Sequence, residues 1–332
     1  MCPSPHVVGF LAQFTRSENE CSHLYIVMEY MDDNLYHVWQ HSRGILPREH
    51  ACKYLKQACA GVHHLHGLGI VHCDLSMANL LVQGSGTLKV GDLGCARFAS
   101  GRLSDLGSAD TQPGDSAGAQ PEEFCGAQPG GLMTFDAAGQ HPMGTNYIRC
   151  PELWFWDRRP SVAVDTWALG VIAVALLAGT LIFRSVTSNG VMPKIYQFLG
   201  PVVDWAEVSK MPKWKSYKAA LTSPLATVPC QSRFLADAKN VRLPLQPDDN
   251  GSKFVLGILR WRPQARSTLE TLLRHELFQQ GSRDRVLDHA LAQCSHPVLS
   301  QLLAGAVASG RPLNREEVLL EALRGQSVKD GK

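Results

Sequence analysis

No charge of either sign dominates this chain. It has 32 Lys and Arg against 30 Asp and Glu, a net charge of +2. On charge alone, that excludes the basic footprint expected of a nucleic-acid or anionic-membrane partner. Also lacking is any repeated spacing among the ten cysteines. In 332 residues, scattered thiols read as reduced and intracellular, cytoplasmic or nuclear, and not as a disulfide framework. The first residues, Met-Cys-Pro-Ser-Pro-His, show no basic region followed by an apolar one, so no signal peptide is expected. Long uncharged apolar runs are scarce, with one exception over residues 166–183, which is 18 positions and marginal for a membrane span. A helix buried on all sides accounts for such a run as well. With 45% hydrophobic residues, the chain has core enough for one large domain or two small ones.

Against these absences, one stretch is dense in chemistry. In Ile70–Leu81, Asp74 and Asn79 stand five positions apart behind His72. Thirteen residues after Asn79 comes Asp92, in Gly91-Asp92-Leu93-Gly94, closing the β-like run Thr87–Val90. A carboxylate, an amide and a second carboxylate on neighbouring loops can hold a divalent cation between phosphate oxygens, while the first Asp accepts a proton. Any one of these residues alone reads as a loop or capping residue. The joint spacing carries the argument.

These two loops resemble the catalytic loop, His-Arg-Asp-Leu-x-x-x-x-Asn, and the metal-binding Asp-Phe-Gly of eukaryotic protein kinases. Asp165-x-Trp167-x-x-Gly170 resembles the start of the central C-lobe helix of that family, which favours a buried helix over a membrane span. Gly144–Glu152 resembles the Thr-x-Trp-Tyr-Arg-Ala-Pro-Glu of the group holding cyclin-dependent and mitogen-activated kinases, with Arg149 the most telling match. Arg262–Arg266 is similar to a late Asp-Pro-x-x-Arg. The fold this implies is α+β, a mainly α-helical C-lobe with a remnant of the N-lobe β-sheet. Residues 1–33 would be that remnant and the hinge. Residues 34–278 would be the C-lobe, with 99–141 a disordered insertion in the activation segment. Residues 279–332 would be a helical tail, with amphipathic helices near 284–305 and 314–324.

The resemblance also implies roles. ATP and Mg²⁺ would be the cofactors, and a protein the substrate, with a regulatory protein subunit as a further partner. Asp74 would be the base, with Asn79 and Asp92 the metal ligands. Met28 would be the gatekeeper beside the adenine, the backbone of Glu29 and Met31 would bond the base, and Leu81 would form its floor. His72 and Asp165 would hold the loop, and Glu152 would pair with Arg266. The activity implied is serine/threonine phosphoryl transfer.

Several residues depart from the family pattern. Only about 25 residues precede the hinge, none reading as Gly-x-Gly-x-x-Gly, and no Lys occurs before Lys53. The expectation is a fragment, an incomplete gene model, or a relative that does without the phosphate-clamping half of the N-lobe. Cys73 stands for the usual Arg, Ser76 for the usual Lys and Leu93 for Phe. These losses keep open a catalytically inactive, protein-binding pseudokinase. A zinc site built on Cys59 and His63 is a third and weaker reading. Locally, strands are expected over 7–14 and 24–30, joined by the polar stretch 15–23, and a helix over 47–69 with Ala51, Tyr54, Leu55, Ala58, Val62 and Leu65 on one face. If the chain begins at residue 1, an exposed apolar surface is expected above Leu81.

Overall fold

The computed structural model describes residues 4–18, 21–99, 145–157, 161–187, 190–202, 205–222, 245 and 249–279. Most of the expected insertion and almost all of the tail, including both of its helices, lie outside the described residues. The described residues up to 46 and from 50 to 279 belong to one unit.

The chain opens with an antiparallel hairpin, β1 (Phe10–Glu18) and β2 (Cys21–Met28). The polar stretch expected to be a loop is mostly strand. Thr15 pairs with Leu24, Arg16 with His23 and Ser17 with Ser22. Both faces are open to solvent there, so polar side chains cost the ladder nothing. The expected start of the first strand is also displaced. Val7 makes a lone parallel bridge to Val90, because the backbone at His6 and Val8 pairs with Val90 at 2.9 Å on either side. Gly61 permits that approach, since a Cβ there would lie 2.2 Å from the His6 carbonyl oxygen.

A second small sheet follows, with β3 (Asp33–Asn34), β5 (Leu80–Val82) and β6 (Leu88–Val90) in the order β3-β5-β6. β4 (Ile70–Val71) pairs with β7 (Arg97–Phe98) and frames the loop between them. Asn34 caps α1 (Leu35–His41), accepting from the His37 N–H at 3.0 Å. The long α2 (Arg48–Gly67) buries Ala51, Leu55, Ala58, Val62 and Leu65, the face expected from the three- and four-residue period. Tyr54 is only partly buried.

The uncharged run is α4 (Ala163–Ala178), which follows the short α3 (Pro151–Trp154). Every residue from Val164 to Ala178 is buried. Gly179 ends α4 in the left-handed region at φ 69°, the conformation that glycine adopts without strain. No helix among the described residues is long and apolar enough to cross a membrane. To the same core α5 (Val191–Leu199), α6 (Trp214–Thr222), α7 (Asn250–Ile258) and α8 (Leu269–Leu273) contribute buried side chains. The Trp39 indole of α1 donates to the Ala175 carbonyl of α4 at 2.8 Å, joining the first helix to the core.

Candidate active site

The loop between β4 and β5 is held from beneath by one carboxylate. Asp165, fully buried at the start of α4, accepts from the His72 N–H at 2.8 Å and the Cys73 N–H at 2.9 Å. Its Oδ2 also pairs with His66 Nε2 at 2.8 Å. These bonds fix the backbone where Cys73 takes a positive φ of 66°, a conformation unusual for a residue with a Cβ. His72 Nε2 in turn contacts the Gly91 carbonyl at 2.9 Å, fastening this loop to the one carrying Asp92. His72 and Asp165 thus hold the loop, as the resemblance implied.

A second set of bonds links the three candidate residues. The Asn79 amide nitrogen donates to the Asp74 carbonyl at 2.8 Å. The Gly91 N–H donates to the Asn79 carbonyl at 2.9 Å. Asp92 follows immediately, with φ 54°, its Oδ1 accepting from the Gly94 N–H at 3.2 Å. The Cys95 thiol is pushed up first by burial and then by the negative charges of Asp74 and Asp92. Both carboxylates therefore act on one sulfur. Asp74 and Asn79 are half-buried and Asp92 is exposed, as groups facing a ligand in water would be.

Thr145 was not singled out from the sequence. Its backbone N–H and its hydroxyl both donate to Asp74 Oδ1, at 3.0 and 3.1 Å. Among the described residues no bond uses Asp74 Oδ2. A small cavity of about 10 Å³ lies here, lined by Cys73, Asp74, Thr145, Arg149, Cys150 and Asp165. It has room for about one water and not for a nucleotide.

The residues expected to hold the base lie along the β2 end and the neighbouring sheet. Met28 closes β2 opposite Phe10 and is 49% exposed. Glu29 and Met31 follow it, both half-buried. Leu81 on β5 pairs with Lys89 on β6, and its side chain lies against Gly91, where a Cβ would stand 3.0 Å from Leu81 Cδ1. Lys89 bonds both oxygens of Glu29, at 2.8 and 2.7 Å, so the segment after β2 is tied to the sheet bearing Leu81.

The donor set fits a hard divalent cation. Asn79 uses its amide nitrogen on Asp74, which leaves its amide oxygen without a bond among the described residues, and magnesium takes oxygen ligands. Zinc is not supported. Cys59 is buried in the core, its thiol pushed up to about 12 by burial, while His63 one turn on is exposed. Among the described residues no three His, Cys, Asp or Glu side chains are gathered to hold a metal.

Two of the departures, Cys73 and Ser76, sit in the interior. Cys73 is 4% exposed, its thiol pushed up to about 12 mainly by burial. Ser76 is 3% exposed. Neither supplies a cation. The Glu152–Arg266 pair is present and bidentate, at 2.6 and 2.7 Å, with both side chains buried.

The protein kinase domain family matches residues 1–278. Among curated proteins, the chain is similar to the serine/threonine-protein kinase SSN3 of Yarrowia lipolytica, 31% identical over 62% of this chain and 47% of that protein. It is similar to cyclin-dependent kinase 7 of Xenopus laevis, 25% identical over 82% of this chain and 64% of that protein. A third relative is cyclin-dependent kinase 20 of Rattus norvegicus, 28% identical over 82% of this chain and 63% of that protein. In each case the match spans less than two thirds of the relative's own length.

Proposed function

Since this chain belongs to the eukaryotic protein kinase family, in its cyclin-dependent-kinase-like part, we propose that it transfers the terminal phosphoryl group of ATP to serine or threonine hydroxyls of a protein. The observation that carries this reading is the chain of bonds from Asp74 through Asn79 to Gly91, which ends beside Asp92. Asp74 takes the hydroxyl proton through Oδ2, its Oδ1 being occupied by Thr145. Asn79 Oδ1 and the Asp92 carboxylate hold magnesium. The chemistry that magnesium supplies when bound is neutralisation of charge on the phosphate oxygens. Met28, the Glu29 and Met31 backbone, and Leu81 receive the adenine. A regulatory protein subunit fits the similarity to cyclin-dependent kinases.

A second reading has a specific observation in its favour. Cys73 and Ser76 are buried where the family uses Arg and Lys, so neither a phosphate on the activation segment nor the transferred phosphate meets a cation there. A catalytically inactive scaffold that binds a partner protein would tolerate both changes.

One experiment separates the two. The chain is titrated with ATP and magnesium, and then assayed for transfer of labelled phosphate to a generic basic protein. The enzyme reading expects binding, transfer, and a loss of about 10²–10⁴ in rate for Asp74→Asn with affinity kept. Binding without transfer would favour the scaffold. No binding at millimolar nucleotide would remove the enzyme reading for this chain.

A further inference from the structure

Glu29 makes more bonds than a hinge residue needs to present its backbone. Its N–H donates to the Gly9 carbonyl at 2.9 Å. Its Oε1 accepts from the Gly9 N–H at 2.5 Å and from Lys89 Nζ at 2.8 Å. Its Oε2 accepts from the same ammonium at 2.7 Å. The two bonds with Gly9 close a ring around the end of β2. Gly9 is suited to it, because a Cβ there would already lie 3.3 Å from Glu29 Oε1.

Lys89 comes from a different element with a different task. It is the middle residue of β6, between the buried Leu88 and Val90. Leu81 is its partner across the ladder. Gly91 and Asp92 come directly after the strand. The ion pair therefore joins the segment that would hold the base to the strand that would place the metal ligand. The pair is partly sheltered, with 17% of the Lys89 side chain and 29% of the Glu29 side chain exposed. The hydrogen bond from Lys89 is the largest influence on the Glu29 carboxyl and holds it below the usual carboxylate range; burial opposes this, and the Gly9 N–H adds to the lowering. The Glu29 carboxylate thus stays ionised throughout the neutral range.

We propose that Lys89 is a positioning residue for nucleotide, fixing the distance between the base-binding segment and the metal-binding loop through its ion pair with Glu29. The inference rests on the nucleotide reading above and deepens it. Lys89 touches neither base nor phosphate in this scheme. Its effect is confined to ligands long enough to engage both ends at once. A ligand that uses one end alone does not sense the distance between them.

That gives a test which general damage to the fold cannot imitate. Affinities of wild type, Lys89→Met and Lys89→Arg are measured for three ligands in magnesium: ATP, adenosine and pyrophosphate. Lys89→Met should weaken ATP by about fivefold, the upper range for a partly exposed ion pair, and leave adenosine and pyrophosphate unchanged. Lys89→Arg, which can still bond both oxygens, should restore ATP affinity. Equal ATP affinity in wild type and Lys89→Met would overturn the proposal while leaving the nucleotide reading intact. A parallel loss for all three ligands would also overturn it, since that is the mark of a structural role. If wild type binds no ATP, the nucleotide reading fails and this inference fails with it. Should Lys89→Met not fold, Lys89→Gln takes its place. A polar side chain stays on the strand and the charge is gone, and the same ligand pattern is expected.

Discussion

Helix α4 and the β1–β2 hairpin both carry large apolar side chains, and the structure treats them oppositely. From Val164 to Ala178 nothing in α4 is exposed. In the hairpin, Phe10 is 60% exposed, Leu11 63%, Phe14 52% and Ile26 56%. For the large apolar side chains, the difference lies in their partners. α4 packs on α7 so closely that a Cβ on Gly170 would sit 2.5 Å from Ile258 Cγ2. The hairpin has apolar residues on both faces. Phe14 and Tyr25 stack on one, ring centroids 5.0 Å apart, while Leu24 and Ile26 point to the other. A strand that is apolar on both sides reads as one covered on both sides, yet among the described residues no layer covers either. Burial, and not apolar content, should decide where a mutation hurts.

The sharpest way to break that contrast is through the ion pair beneath α4. The Arg266 guanidinium bonds both oxygens of Glu152 and the Ala163 carbonyl, and lies 5.0 Å over the Trp167 ring. Arg266→Ala would leave the Glu152 carboxylate buried with no cation to match it. We expect a loss of about 3–5 kcal/mol in denaturant unfolding, the range for breaking a buried pair. A loss near zero would mean that water reaches Glu152, and that the helical core is less sealed than its exposure values imply.

Why some of this was legible and some was not follows from range. The α2 face showed because three- and four-residue spacing records burial on a single helix. The uncharged run showed because a helix buried all round has no face to spare for charge. His72, Asp74, Asn79 and Asp92 showed because a fixed spacing within one short segment is a local signal. Thr145 did not. It stands at the leading Thr of the Thr-x-Trp-Tyr-Arg-Ala-Pro-Glu pattern, but its bond to Asp74 spans 71 positions, and a motif match does not name the partner. Lys89 was hidden for a similar reason. A lone Lys between Leu88 and Val90 looks like the outward residue of a half-buried strand, and its carboxylate lies 60 positions away. The parallel bridge of Val7 to Val90 is longer still in sequence, and polar residues in β1 and β2 passed for a loop because their pairing leaves no hydrophobic trace.

A single methyl group gives a smaller effect of the same kind. Gly170→Ala would drive a carbon to 2.5 Å from Ile258 and 2.8 Å from Leu259, and both are fully buried. Alanine favours the helix by about 1 kcal/mol over glycine, so propensity alone predicts a more stable protein. Overpacking a filled core costs about 1–3 kcal/mol, and we expect it to win. A rise in the unfolding midpoint would show instead that α7 can step aside.

The hairpin provides the opposite limit. Ile26→Thr keeps a β-branched side chain suited to a strand and removes apolar area that already faces water. Its partner across the ladder is Gln13, so no apolar pair is broken. The stability change should stay within about 0.5 kcal/mol, as for surface positions in general, while binding of a hydrophobic dye should fall. The pairing of a net loss at Gly170 with almost none at Ile26 is what the comparison requires. A loss at Ile26 as large as that at Gly170 would show that the hairpin is covered in solution, because only a side chain removed from water has burial to forfeit.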